Sequence, residues 1–106
     1  MAWIYLVLAG LLEIVWAVGL KYSEGFTKPL ASTVTGLALV ASFWLLALAL
    51  KEIPLGTGYA VWVGIGAVGA AVLGMVLFDE SVSLARIGCI ALIVAGIAGL
   101  KLTSAA

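Results

Sequence analysis

Four long apolar runs, separated by short polar breaks, leave this chain few ways to fold. They cover about residues 3–20, 30–50, 56–78 and 84–102, each within the ~17–25 residues of a bilayer-crossing helix. The breaks are the segment from Lys21 to Pro29, Lys51-Glu52-Ile53-Pro54, and Asp79-Glu80. Hydrophobic residues make up 66% of the 106-residue chain and charged ones 9%, against about 25% charged in an ordinary soluble domain. A soluble fold of this length cannot hide so much apolar surface, so lipid must cover most of it. Backbone groups in lipid are satisfied only by helices or closed barrels, and these runs are too long and too uniformly apolar for barrel strands. The expected fold is therefore an all-α membrane protein, one domain over residues 1–106 with four transmembrane helices.

Four crossings place both termini on one side, and loops of a few residues make successive helices antiparallel neighbours. Lys and Arg in short loops normally fix orientation. Here Lys21, Lys28 and Arg86 lie on one side, and Lys51, Lys101 and the terminal amine on the other. The tie has two readings: a weak signal compensated elsewhere, or insertion in both orientations and pairing as an antiparallel homodimer. No internal repeat relates the two helix pairs. Two oppositely inserted copies would supply the inverted halves that many transporters arrange around a midplane site.

Glu13 is the residue this composition does not explain. It lies about ten residues into the first run, ~15 Å along a helix axis at ~1.5 Å per residue, close to the bilayer midplane. A charge there costs ~2.5–3.5 kcal/mol on insertion scales and marks a functional site by default. Desolvation penalises the charged form of an acid, so Glu13 is positioned to hold a proton and surrender it to an arriving cation. Competition of the two for one carboxylate gives exchange. Two carboxylate oxygens suit a planar fork of N–H donors such as guanidinium, whereas a quaternary ammonium prefers a looser aromatic box.

Other residues are arranged around that acid. On the first helix Ala9, Gly10, Trp16 and Ala17 share its face by i±3 and i±4 spacing, with Trp16 offering an aromatic wall and one indole donor. Tyr59 and Trp62 share a face of the third helix and read either as an interfacial belt or as a polar aromatic wall donating to Glu13 or stacking on a flat cation. Ser42 lies near the centre of the second helix, where a lone serine ordinarily bonds back to its own backbone. Phe43 and Trp44 read as packing or lipid contact. The run Gly64-Ile65-Gly66-Ala67-Val68-Gly69 permits close helix packing or a bend. The fourth helix, with Gly88, Ala91, Ala95, Gly96 and Gly99, reads as a packing or dimerisation helix. Lys101 either snorkels to the interface or reaches an acidic group in the assembly.

Several function classes are excluded by what the sequence lacks. Cys89 is the single cysteine and there is no histidine, so neither a Cys–His nucleophile nor a zinc cage is available, and no metal site is expected. Cys89 reads as a small apolar filler. No nucleophile–base pair or cofactor loop supports an enzyme, and no basic stripe supports nucleic-acid binding. The first run lacks a basic leader and carries Glu13 at its centre, so it is expected to remain in the mature protein rather than be cleaved as a signal peptide.

Taken together, several segments resemble the small multidrug resistance family over essentially the whole chain. They are Leu12-Glu13-Ile14-Val15-Trp16-Ala17, Lys21-Tyr22-Ser23-Glu24-Gly25-Phe26-Thr27, Ser42-Phe43-Trp44-Leu45-Leu46, the segment from Ile53 to Trp62, and Leu92-Ile93-Val94-Ala95-Gly96. Trp16 beside Glu13 and the Gly64–Gly69 run look most like the guanidinium-exporter subgroup. The resemblance implies a proton-coupled antiporter of guanidinium or a small guanidinyl cation, without cofactor, in the bacterial inner membrane, working as an antiparallel homodimer. The alternative is export of quaternary ammonium or polyaromatic cations. By matching position, Glu13 would bind substrate and protons, with Trp16, Ser42, Tyr59 and Trp62 as its hydrogen-bond network. The third helix would bend at Gly64 and Gly66, and the fourth would form the dimer contact through Gly88, Leu92, Ala95 and Gly96. Gly58 stands where many relatives have alanine.

Overall fold

A computed structural model describes residues 1–103. The elements are α1 (Ala2–Tyr22), α2 (Pro29–Ala49), α3 (Leu55–Leu77) and α4 (Leu84–Thr103), each long and apolar enough to cross a membrane. Prolines punctuate the starts: Pro29 opens the first turn of α2 and Pro54 caps α3, positions where a missing N–H costs nothing. The α1–α2 turn is built around Ser23, which is fully buried. Its Oγ donates to the Leu20 carbonyl at 2.7 Å and accepts the Phe26 amide at 3.2 Å. Glu24, Gly25 and Phe26 then follow in left-handed conformations, with φ of 49°, 75° and 67°.

The helices stand side by side in the order α2, α1, α3, α4. Helix α1 packs against both α2 and α3, α3 carries α4, and α2 and α3 touch little. Neighbouring helix axes lie ~8–10 Å apart, so four in a row span ~30 Å. The Cα extents of 43 × 34 × 16 Å match such a plate. Close approach within it depends on small residues. The Ile65 side chain lies where a Cβ on Gly10 would be, and Thr35 does the same at Gly19. The buried apolar cluster includes Leu6, Ala9, Leu46, Ala49, Ile53, Val61 and Trp62. It gathers at the end of the plate that holds the α1 N-terminus and the α2–α3 turn. At that end Lys101 Nζ sits 4.5 Å from the centre of the Trp3 ring within the protomer. Helix α4, at the edge of the row, has no buried residue among those described.

Candidate functional site

Glu13 lies in the seam between α1 and α3. It is 9% exposed, and its carboxyl fills the space over Gly66, where an added Cβ would overlap it. Glu13 Oε1 and Trp16 Nε1, three residues apart on α1, are buried without a protein hydrogen-bond partner among the described residues. Buried polar atoms are nearly always paired in folded proteins; Trp3 Nε1, Ser32 Oγ and Arg86 Nε are also unpaired among the described residues, but Glu13 Oε1 is the one carboxylate oxygen of these atoms.

A second polar group docks one turn away. The Ser42 hydroxyl donates to the Ala9 carbonyl at 2.7 Å, and Trp62 Nε1 donates to Ser42 Oγ at 3.0 Å, both bonds being buried. Ser42 thus bonds across to α1, not back to its own helix as expected of a lone serine. The reason is local: Ala9 is fully buried and its side chain is only a methyl, too short to hold α2 away. In a regular helix the Ala9 carbonyl also accepts the Glu13 amide, so the Trp62–Ser42 chain ends on the turn that carries the acid. The Trp62 indole is paired with Ser42 and not with Glu13.

Trp62 is also the centre of an aromatic group. Its ring lies 5.3 Å from Phe43 at 47° and 5.5 Å from Tyr59 at 55°, within the tilted range that favours aromatic pairs. Tyr59 is 52% exposed and stands at the outer edge of this group. Trp16 packs from α1 against the buried cluster.

The remaining expected residues lie elsewhere. Helix α3 runs unbroken through Gly64 and Gly66, and the two glycines face different neighbours. A Cβ on Gly64 would come within 2.8 Å of Ile97 Cδ1 on α4, whereas Gly66 faces Glu13. Gly88, Leu92, Ala95 and Gly96 are exposed on α4, away from the acid, and an added Cβ on Gly88 or Gly96 meets nothing within 4 Å. Cys89 is exposed on the same helix. Among the described residues no His, Cys, Asp and Glu cluster is suited to hold a metal. Three participants were not singled out by sequence: Phe43 as a ring partner of Trp62, the Ala9 carbonyl, and Gly66 as the floor under Glu13. The last had a signal, because Tyr59, Trp62 and Gly66 are spaced by three and four and share one face of α3.

The model of the Small Multidrug Resistance protein family matches residues 1–93. The chain is 62% identical to a guanidinium exporter of Yersinia pseudotuberculosis over 104 residues, covering 98% of this chain and all of that one. It is 58% identical to the guanidinium exporter of Escherichia coli K12 and 57% identical to that of Salmonella typhimurium, in each case over 98% of this chain and 99% of the relative.

Proposed function

Because this chain belongs to the small multidrug resistance family, we propose that it exports guanidinium or a small guanidinyl cation across the bacterial inner membrane in exchange for protons. The observation that carries this reading is the Glu13 carboxyl, buried at the depth of a membrane with an oxygen that no protein group claims. The names of relatives matched over nearly their whole length support the substrate.

Guanidinium presents paired N–H groups in a plane, and a carboxylate accepts two of them side by side. In a water-poor seam that charge-assisted pair is stronger than in solution. Trp16 and the Phe43–Trp62–Tyr59 group supply ring faces on which a flat cation stacks, and the Trp62–Ser42 bond holds the central ring in register with Glu13. The carboxyl releases its proton as the cation arrives and regains one as the cation leaves. Export follows from the inward proton gradient provided the empty, ionised site reorients poorly.

A plate of four helices walls the acid from one side, so the working unit is two copies. The pairing is antiparallel, in keeping with the balanced Lys and Arg count, and the exposed α4 face bearing Gly88, Leu92, Ala95 and Gly96 forms the contact. The α3 helices bend near Gly64 and Gly66 as the site changes sides. In liposomes with an imposed proton gradient, wild-type protein is expected to move guanidinium uphill and Glu13→Gln to move none. Uphill transport by Glu13→Gln would refute the mechanism, and tetraalkylammonium ions that compete as well as guanidinium would refute the substrate class.

A further inference from the structure

Along the α1–α3 seam, side chains and glycines fit as knobs and holes. Ile65 fills the space over Gly10, the Glu13 carboxyl fills that over Gly66, and Ile14 fills that over Gly69. Two of the knobs are isoleucines, which such packing normally uses. The third is the acid. A Cβ at position 66 would overlap Oε1 and the carboxyl carbon of Glu13 and stand 2.6 Å from its Cγ. The clash involves the whole end of the side chain, so a small turn of the tip cannot relieve it. No protein hydrogen bond holds Oε1 among the described residues. The Gly66 backbone itself lies against the carboxyl, and the missing Cβ at that position is what lets the acid come so close.

We infer that Gly66 is a positioning residue for Glu13: it seats the carboxyl in the α1–α3 seam and thereby sets where the cation-accepting oxygens lie. This rests on the proposed role of Glu13 and differs from the two other duties a glycine here would have. A bend in α3 treats Gly64 and Gly66 alike, yet Gly64 faces Ile97 on α4. General packing of the seam treats Gly66 and Gly69 alike, since each receives a side chain from α1. A seat singles out Gly66 and makes its effect depend on the length of residue 13.

The test measures proton release evoked by guanidinium, across a range of pH, on the full-length protein. The variants are Gly64→Ala, Gly66→Ala, Gly69→Ala, Glu13→Asp, and Glu13→Asp combined with Gly66→Ala. Gly66→Ala is expected to weaken apparent guanidinium affinity about tenfold or more and to displace the pH profile by about half a unit or more, because hydration and charge environment set proton affinity. Gly64→Ala and Gly69→Ala are expected to displace the profile clearly less than Gly66→Ala does, whatever Gly64→Ala does to the transport rate. Glu13→Asp withdraws the carboxyl by one carbon, ~1.5 Å, so Gly66→Ala should cost less than about threefold in that background, the signature of two groups in contact. Equal effects at all three glycines, an unmoved profile in Gly66→Ala, or an undiminished penalty in the Glu13→Asp background each overturn the inference. If Gly66→Ala alone does not fold, recovery of folded protein in the double variant supports the seat, and failure to recover overturns it. Absence of proton release from the wild type removes the assigned role of Glu13 and the seat with it, whereas release from the wild type with a silent Gly66→Ala removes the seat alone.

Discussion

Removing the Ser42 hydroxyl should cost more than one hydrogen bond. Ser42→Ala deletes the 2.7 Å bond to the Ala9 carbonyl and the 3.0 Å acceptor for Trp62 Nε1. The losses are unequal. Ala9 keeps its helical partner, the Glu13 amide, while the indole N–H is left buried with nothing to donate to. Hydrogen bonds between membrane helices average ~0.6 kcal/mol and reach ~1.7, and a stranded buried donor costs ~1–3. A destabilisation of about 2–4 kcal/mol follows. Trp62→Phe deletes the same indole bond and adds a packing loss, because Trp62 is 4% exposed. Once the indole donor is gone, Ser42→Ala costs only the Ala9 bond. The double variant should therefore be less destabilised than the sum of the singles by about 1–3 kcal/mol, the cost of the stranded donor. Equilibrium unfolding in mixed SDS and nonionic micelles, followed by far-ultraviolet circular dichroism, measures all four corners of this cycle. Additivity within ~0.3–0.5 kcal/mol, the behaviour of independent sites, would show that Trp62 and Ser42 do not depend on each other and refute the argument.

Gly19→Ala should destabilise by about 1–3 kcal/mol, since its Cβ would overlap the Thr35 hydroxyl; adding Thr35→Ala should restore most of the loss in the same unfolding assay. Gly25→Val should cost ~1–2 kcal/mol through its left-handed backbone alone, as φ is +75° with open space around it, and should leave guanidinium affinity unchanged by calorimetry. Lys101→Met should cost ~0.5–1 kcal/mol by removing the cation over Trp3; an unchanged unfolding midpoint would count against that contact. Gly96→Leu has room within the protomer, so it should leave protomer helicity intact while lowering the dimer fraction seen by native mass spectrometry. A fully dimeric Gly96→Leu protein would argue against α4 as the contact.

The four helices were legible because run length and punctuation decide them: Pro29 and Pro54 mark helix starts wherever the helices lie in space. Glu13 stood out because a carboxyl in oil has no structural excuse. The order of the row was not legible. Each helix is apolar nearly all round, so no polar face tells α1 to stand between α2 and α3. The partner of Ser42 was hidden for a different reason, being a backbone carbonyl made reachable by a small neighbour, and a sequence does not display backbone acceptors. Glycine density on α3 indicated closeness without saying to what. The Trp62-to-Gly66 step of four carried that information once α1 was known to lie against that face.

The placement of acid and seat on different helices also bears on how the chain is made. Synthesis runs from the N-terminus, so the segment bearing Glu13 reaches the bilayer first. The α2 hairpin partner follows, but Gly66 emerges some fifty residues after the carboxyl it will house. Until then the first span carries a carboxyl at its centre that has no seat. The arrival of the third helix is thus the assembly step that gives the carboxyl of the first span its seat.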